Sequence, residues 1–373
     1  MIKIGTLMIV SVILAYYSEK YTNEVKRCGQ FYSVLNDRAY LALAVVLVLF
    51  SGLRRDYNDT WNYLNAFRNN KGLADFLSDS QNLNLMENPL FHFFRSFLKE
   101  LTGNDQYVIF IPSAFTQICF LRFFKRYSEN FTFSVFLYIA LGTFSFTMGA
   151  LKQAWAMGIV TLAFPYLERK QWGRYYLIVF IAMLMHTYAL AYVVLPLFRQ
   201  RPWKLFTYLF VASLVLVMLN FEDAITAFMD QAEEFGKDLH EETIFHDYSV
   251  NIMRVAVYIV TPLISFFFQK WVFPKASAMD HVLVHMSIIS FSFMLMGTQS
   301  GANLFARMAQ YFELGTVCCL PWMLKKPFDA RSYQFVSRIT VICFLLYFVY
   351  ANAIDKQFDD VYRATNLLSL FGL

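Results

Sequence analysis

Long apolar runs separated by short polar segments make up most of the chain. Eleven runs of about 16 to 25 residues, each long enough to cross a bilayer as a helix, lie at 2-17, 38-53, 105-121, 131-148, 150-166, 175-198, 203-220, 250-269, 280-297, 303-323 and 333-352. The pattern predicts an all-α, polytopic membrane helical bundle of about ten to eleven spans. Because no repeat or linker divides it, we expect one transmembrane domain over 1-373, with the external loops 54-104 and 221-249 contained within it.

The segment 54-104 departs from this pattern. It is polar over most of its length and offers only the short mixed run Pro89 to Leu98, which is too short to span a bilayer. Such a run is typical of an amphipathic helix that lies at the interface or dips into the bundle. We therefore expect 54-104 to be a helical external loop.

Composition changes the picture only by excluding other classes of protein. Apolar residues make up 58% of the chain and charged residues 16%, whereas soluble domains are nearer half apolar and a quarter charged. The net charge of +5 is carried largely by basic residues beside apolar runs, so it indicates topology rather than nucleic-acid binding. The five cysteines lack metal-ligand spacing. We predict no metal and no cofactor.

Basic residues predict which loops face the cytoplasm. They cluster after the first, third and fifth runs and in two later loops, at Lys20, Lys26, Arg27, Arg38, Arg122, Lys125, Arg126, Arg169, Lys170, Arg174, Lys270, Lys275, Lys325, Lys326, Arg331 and Arg338. By contrast, loop 221-249 carries nine acidic residues and a single lysine, Lys237. We expect that loop outside.

The run 175-198 is flanked by basic residues on both sides, which a single span cannot place together in the cytoplasm. One interpretation is a re-entrant pair of half-helices that breaks at Met185-His186-Thr187. Non-helical backbone at that depth must be buried in protein or line a wet cavity. The other interpretation is an ordinary span followed by a mildly basic external loop.

Unusual polar residues gather at the predicted outer ends of the spans. An ionisable residue inside a span costs a few kcal/mol unless it faces a partner or water, so it is a functional candidate. The cations at these ends are Arg54, Arg55, Lys152, Arg254 and Arg307, with Tyr57, Gln153 and Tyr311 beside them. Each of these residues also has an interpretation without a function. Arg54 and Arg55 could contact lipid phosphates, and acidic residues in polar loops are usually just solvated. Several cations at one membrane boundary fit a lipid-linked phosphate or pyrophosphate, since guanidinium groups complement phosphate oxygens.

Five strings, in order, carry a resemblance to a known family. They are GLRRDYNDTWNYLNAF at 52-67, MENPLF at 86-91, GALKQAWAMGIVTLAF at 149-164, IAMLMHTYALAYVVLPLF at 181-198 and ARMAQYFELGTVCCLP at 306-321. Together they resemble the EpsG family of Wzy-type polysaccharide polymerases. Three positions depart from its pattern: Lys152 stands where arginine is usual, Asn58-Asp59 follow Asp56-Tyr57, and Thr187-Tyr188 replace a small pair.

The resemblance implies a bacterial glycosyltransferase with a GT-C-like fold. It would join undecaprenyl-pyrophosphate-linked oligosaccharide repeat units at the outer face of the cytoplasmic membrane, so its active site would face the periplasm or the outside. The implied catalytic residues are Asp56, Asp59, Glu87 and His186. The implied substrate-binding residues are Arg54, Arg55, Tyr57, Lys152, Gln153, Arg254, Arg307 and Tyr311. Besides substrate and bilayer, a chain-length regulator and a flippase are candidate partners.

Two other functions use the same chemistry. A lipid-linked oligosaccharide flippase also needs cations for pyrophosphate, but it should spread polar residues through the membrane and often has repeat halves. An O-antigen ligase uses similar donors but usually has a longer late external loop than 221-249. A membrane O-acyltransferase and a purely structural role fit the buried arginines less well.

Overall fold

The computed structural model describes residues 2–27, 30–78, 83–234, 249–299, 302–354 and 363–364. The fold is all-helical, with 82% helix. In the first half of the chain the α-helices are α1 (Ile2–Lys20), α2 (Asp37–Gly52), α3 (Thr60–Asn69), α4 (Leu73–Ser78), α5 (Pro89–Leu101), α6 (Tyr107–Tyr127), α7 (Phe131–Ala140), α8 (Thr143–Gly149), α9 (Leu151–Thr161) and α10 (Phe164–Glu168). Those of the second half are α11 (Trp172–Met185), α12 (Leu205–Leu219), α13 (Phe221–Glu234), α14 (Ile252–Tyr258), α15 (Val260–Phe267), α16 (Gln269–Val272), α17 (Ala278–Met296), α18 (Ala302–Lys325) and α19 (Ala330–Val349). Two 3-10 helices lie at Leu85–Glu87 and Thr187–Arg199, and a π-helical turn lies at Tyr350–Ile354, among the described residues.

Each predicted apolar run corresponds to one or more of these helices. Among the described residues, four helical stretches are long and apolar enough to cross a membrane: α1, α6, α17 and Ala330–Ala353. A fifth candidate is the pair α7 and α8, which bends by 54° where Gly142 adopts a φ of +82°. Four shorter apolar helices are also present. The membrane-protein class is thus supported, whereas the number of spans stays a prediction.

Two small antiparallel strand pairs depart from the all-α expectation. Strands β1 (Asn23–Arg27) and β2 (Gln30–Val34) pair with Val25 opposite Tyr32, in the loop between the first two apolar helices. The sequence QFYSV of β2 is rich in residues that favour strands. Strands β3 (Arg54–Asp56) and β4 (Arg363–Ala364) pair with Asp56 opposite Arg363. This second pair brings residues that follow the last long helix to the start of the external segment.

The loops that were predicted to be cytoplasmic lie together at one end of the bundle, here called the basic end. Arg126 pairs with Glu168 at 2.7 Å, and Lys326 approaches Glu129 at 3.4 Å. The carboxylate of Glu19 accepts hydrogen bonds from the backbone of residues 131 and 132. These contacts join loops that are far apart in sequence, as the distribution of basic residues required. Which side of a membrane this end faces stays a prediction.

Residues 172–199 form a hairpin. The Tyr175 hydroxyl donates to the carbonyl oxygen of Tyr192 at 2.6 Å, so the two arms lie side by side. Arg199, at the far end, donates to the carbonyl oxygen of Leu167, and its guanidinium lies 5.7 Å from the ring centroid of Trp172 at the near end. Both ends of the run therefore meet at the basic end. The re-entrant geometry fits the structure, whereas a single straight span does not.

The two arms of the hairpin meet at His186, which has an extended backbone (φ −156°, ψ 118°) between α11 and the 3-10 helix Thr187–Arg199. A 3-10 helix of 13 residues is unusually long. The break lies where the sequence predicted it. It places the tip of the hairpin at the opposite end of the bundle from the basic loops, here called the polar end.

The loop 54-104 is helical, as predicted, but it contains three α-helices rather than one. The predicted amphipathic stretch is α5, which buries Phe91 and Leu98 and exposes Phe93 and Phe97. Phe94 packs edge-to-face on Trp155 with ring centroids 4.6 Å apart. The loop therefore packs onto the polar end of the bundle. Of the acidic loop 221-249, α13 is described, and residues 235–248 lie outside the described part of the chain.

Candidate active site

Arg54 is part of the scaffold of the polar end. Its side chain is completely buried, and it donates to Thr60 Oγ1 at 3.1 Å, to Ser113 Oγ at 2.9 Å and to the carbonyl oxygen of Ser51. Gln106, also buried, donates to the carbonyl oxygens of Gly52 and Arg54 at 2.7 and 3.1 Å. These bonds satisfy backbone groups where α2 ends. The structure therefore favours a supporting role for Arg54, in place of the substrate contact expected from sequence.

Arg55 lies at the edge of the site and is bound to a carboxylate. Its guanidinium contacts Asp105 at 3.2 Å, and Arg68 contacts the same carboxylate at 2.6 Å. Asp105 is nearly buried, and it pairs with two guanidinium groups that remain partly exposed. Neither Asp105 nor Arg68 was predicted from the sequence, because each lies in a polar loop where a lone charge is usually solvated.

Tyr63 brings several of the predicted residues together. Its hydroxyl forms a hydrogen bond with the backbone of Lys152, and it also feels the charges of Asp59, Arg307 and Arg54. Burial of the hydroxyl, followed by the nearby Asp59 carboxylate, raises the pKa of Tyr63 to about 12. The phenol therefore stays protonated at neutral pH. It acts as a hydrogen-bonding group between the external segment and the bundle.

The start of α9 faces this cluster. Lys152 Nζ lies 5.8 Å from the ring centroid of Phe91 in the external segment. Gln153 donates from Nε2 to the carbonyl oxygen of Arg307 at 2.6 Å, which joins α9 to α18. The N-cap residue of α9, Ala150, makes no side-chain cap hydrogen bond. The first N–H groups of a helix and its dipole favour an anion there, in addition to the lysine charge.

The residues 54–60 approach the same helix start. Asn58 has a φ of +47°, and a side-chain carbon added at Gly149 would lie 2.8 Å from Asn58 Nδ2. The absence of a side chain at position 149 therefore allows the external segment to approach α9 closely. Tyr57 is buried, and its carbonyl oxygen accepts a hydrogen bond from Thr60 at 2.6 Å. Asp56 is half-buried and lies in β3.

His186 at the tip of the hairpin contacts α18. Its Nδ1 lies 2.9 Å from Tyr311 Oη, and Tyr192 on the other arm donates to the carbonyl oxygen of Tyr311. Tyr311 is therefore held by both arms of the hairpin. His186 and Tyr311, two of the predicted site residues, are therefore in contact, and Arg307 lies one helical turn before Tyr311 on α18.

The external turn 84–88 reaches the same tip. Asn88 adopts a left-handed conformation (φ 59°) before Pro89, which begins α5. Its Oδ1 accepts from the backbone N–H of Thr187 at 3.0 Å, and the Thr187 hydroxyl donates to the carbonyl oxygen of Met86 at 2.6 Å. Asn88 thus satisfies an N–H that the break in the hairpin exposes. As a result, Glu87 lies one residue away from the group that binds the tip.

A second polar cluster lies between α14, α17 and α18. The Arg254 guanidinium lies 5.9 Å from the ring centroid of Tyr258, whose hydroxyl accepts from Gln310 Nε2 at 2.5 Å. Glu313 is completely buried and accepts from Ser290 Oγ at 2.7 Å. Arg254 and Glu313 also interact electrostatically. Glu313 was not predicted, because its place in the middle of an apolar run gave no sign of a partner.

Among the buried polar atoms that make no hydrogen bond within the described part of the chain, four belong to side chains of α9, α14 and α18 at this end. They are Gln153 Oε1, Gln310 Oε1, Glu313 Oε1 and Arg254 Nε. Buried polar atoms are rarely left unpaired, and each such atom calls for an explanation. Three of these four atoms are acceptors and one is a charged donor. Hydroxyl groups could donate to the acceptors, and an anionic oxygen could accept from the donor.

The structure therefore brings most of the predicted site residues to one end of the bundle. Gln153, next to Lys152 in the chain, donates to the carbonyl oxygen of Arg307, and His186 contacts Tyr311 one turn further along α18. Among the remaining predictions, Arg54 and Tyr57 are buried supports and Arg55 lies at the edge. Asp105, Asn88, Tyr63, Tyr258, Ser290 and Glu313 are additional members of this end. Each of these six acts through a partner that is distant in sequence, which a motif does not reveal.

An apolar helical bundle with several cations gathered at one end defines a membrane protein with a candidate site at that end. A model of the EpsG family matches residues 38–363, and the chain belongs to that family, the family of Wzy-type polysaccharide polymerases. No curated protein matches the chain, and no solved structure matches it. The predicted GT-C-like fold therefore stays a prediction.

Proposed function

We propose that this chain is the glycosyltransferase that joins undecaprenyl-pyrophosphate-linked oligosaccharide repeat units into a surface polysaccharide. The observation that carries the proposal is the bond between Gln153 and the Arg307 carbonyl oxygen at 2.6 Å. It fixes Lys152 and Arg307 at one end of the bundle, beside Asp59 and the tip of the hairpin. Family membership supports a polysaccharide polymerase, and the cations support a pyrophosphate donor.

The donor pyrophosphate would be bound by Lys152, Arg254 and Arg307, together with the first turn of α9. Guanidinium groups bind phosphate oxygens bidentately, whereas the lysine supplies a point charge. Arg55 is already bound to Asp105, so we propose that it shapes the edge of the site and does not bind the pyrophosphate. The lipid tail would lie in the bilayer beside the bundle.

In the reaction, the oxygen of an acceptor hydroxyl attacks the anomeric carbon of the donor sugar. The bond between that carbon and the pyrophosphate oxygen breaks, and its electron pair leaves with the pyrophosphate. Cations placed where negative charge develops stabilise the transition state. The hydroxyl proton passes to a carboxylate, for which Asp56, Asp59 and Glu87 are the candidates. His186 supports this step, with Nδ1 directed to Tyr311.

No metal or cofactor enters this proposal. Pyrophosphate is already a good leaving group, so positioning of the two sugars and charge stabilisation suffice. We place the reaction at the outer face of the bacterial cytoplasmic membrane, because the basic loops lie at the opposite end of the bundle. A flippase would supply the substrate, and a chain-length regulator would act on the product.

A deletion strain tests the proposal. We expect surface glycan that carries a single repeat unit, with long chains restored by the wild-type gene. Loss of all surface glycan, with lipid-linked units trapped inside, would instead identify a flippase. Full-length polymer that stays attached to the lipid carrier would identify an O-antigen ligase.

A further inference from the structure

The helix α3 presents one exposed face of unusual composition. Trp61, Asn62, Asn65, Arg68 and Asn69 are all exposed. At 100° per residue they lie within about 120° of one another around the helix. We call these five residues the α3 face. It contains one aromatic ring, three amides and one guanidinium, and no aliphatic side chain.

The aromatic ring of this face is held in place. Trp61 is 55% exposed, and the Arg68 guanidinium lies 5.3 Å from its ring centroid. Arg68 is itself bound to Asp105 at 2.6 Å, and its carbonyl oxygen accepts from Lys99 at 3.2 Å. A fixed, exposed ring binds a flat apolar surface at little cost in side-chain entropy. Asp105 balances part of the positive charge of Arg68, because the same carboxylate also pairs with Arg55.

The opposite side of α3 contacts the candidate active site. Tyr63 lies near Asp59, Lys152 and Arg307, and Leu64 and Phe67 are buried. Because α3 begins directly after Asp59, the α3 face starts beside the candidate active site and leads away from it over about 12 Å, from residue 61 to residue 69. A chain that leaves the site along this helix would contact all five residues.

The chemistry of the α3 face fits a saccharide chain. Asparagine amides donate and accept hydrogen bonds at once, as vicinal hydroxyl groups require. The indole ring offers a flat apolar surface to the C–H face of a sugar ring. A lipid environment would leave the three amides without partners, at a cost in free energy for each. An apolar protein partner would meet the same difficulty.

We propose that the α3 face is a saccharide-binding subsite that holds the growing glycan next to the active site. This inference rests on the proposed function, but it concerns binding rather than bond formation. By retaining the chain between additions, the subsite would favour long products. It would bind a hydrated, polyhydroxylated chain without a requirement for the lipid pyrophosphate.

The direct test uses full-length protein purified in detergent. The probe is oligosaccharide released by mild acid hydrolysis from the surface glycan of the source strain, and the measurement is its dissociation constant by saturation-transfer NMR. We expect Trp61→Ala to weaken binding about tenfold, the change that 1.4 kcal/mol produces. Asn65→Ala combined with Asn69→Ala should weaken it too. Trp271→Ala is the matched control, since Trp271 is 54% exposed and lies at the basic end.

The outcomes separate this inference from the proposed function. Unchanged binding by Trp61→Ala, or equal loss in Trp271→Ala, would overturn the subsite. Unchanged binding by the double asparagine variant would also overturn it, because the amides would then make no contact with the saccharide. In cells, the Trp61 and asparagine variants should still make polymer, but shorter. If the deletion strain keeps its long chains, the polymerase proposal fails, while the binding measurement still decides the subsite.

Discussion

Glu313 provides the sharpest test of the packing at the polar end. Its carboxylate is completely buried, accepts from Ser290 at 2.7 Å and interacts with the Arg254 guanidinium. Glu313→Ala removes this acceptor and leaves a cavity inside the bundle. Truncating a long buried side chain to alanine costs about 2–5 kcal/mol.

This cost predicts a measurable change in thermal stability. For 373 residues, the usual entropy of unfolding of about 2.1 cal/mol/K per residue gives a fall in Tm of about 3–6 °C. Glu313→Gln should recover most of this loss, because glutamine keeps the volume of the side chain and an oxygen that accepts from Ser290. Arg254→Met should fail to make polymer, since Arg254 is proposed to bind the pyrophosphate.

The assay is the thermal loss of monodisperse protein in detergent, followed by size-exclusion chromatography. Glu168→Ala is the matched control, because Glu168 forms an exposed pair with Arg126 at 2.7 Å. Exposed pairs contribute about 0–1 kcal/mol, so this Tm should move by about 1 °C or less. A Glu313→Ala variant as stable as wild type would refute the reasoning. A Glu313→Gln variant no more stable than Glu313→Ala would refute it as well.

Three further predictions concern other contacts. Gly315→Ala should destabilise the folded protein by about 1–3 kcal/mol, because the added carbon would lie 2.5 Å from α17 atoms. Gly173→Ala, with open space around it, should leave the Tm unchanged. Asn88→Ala should expose the hairpin break, so faster hydrogen exchange of the Thr187 amide is expected, and unchanged exchange would contradict the assigned bond. Tyr63→Phe should leave the pH profile of polymerisation unchanged between about pH 6 and 9. The raised pKa of Tyr63, about 12, keeps its phenol neutral in this range, so a shifted profile would refute that protonation state.

Long-range charge patterns made the hairpin predictable. Basic residues before and after 175-198 required both ends on one side, and the contact between Arg199 and Trp172 agrees with that requirement. The break at His186 was visible because a polar residue interrupts an apolar run. Such signals act over whole segments, so one sequence is enough to detect them.

Individual contacts between distant segments were not predictable in the same way. Asn88 was not expected to cap the break at Thr187, because an asparagine before a proline usually indicates only a local turn. Arg54 was expected to contact substrate, although its bonds to Thr60 and Ser113 make it a support. A side chain's role depends on which segments pack around it, and this information is absent from the residue type.

The small strands were missed for a related reason. A loop between two apolar runs was treated as a connector, although the sequence of β2 favours a strand. Likewise, the bend between α7 and α8 was not expected, since the apolar run 131-148 contains only one glycine, Gly142, as a sign of a break. Local propensity contributes little beside the strong apolar signal of a span.

The most direct test of the account is polymerisation by purified protein in lipid vesicles supplied with undecaprenyl-pyrophosphate-linked repeat units. We predict a ladder of products that differ by one repeat, with one undecaprenyl pyrophosphate released for each bond formed. Arg307→Ala should abolish the ladder, whereas Arg331→Ala, an exposed residue at the basic end, should retain it. Transport of the substrate across the vesicle membrane without bond formation, or a full ladder from Arg307→Ala, would contradict the central claim.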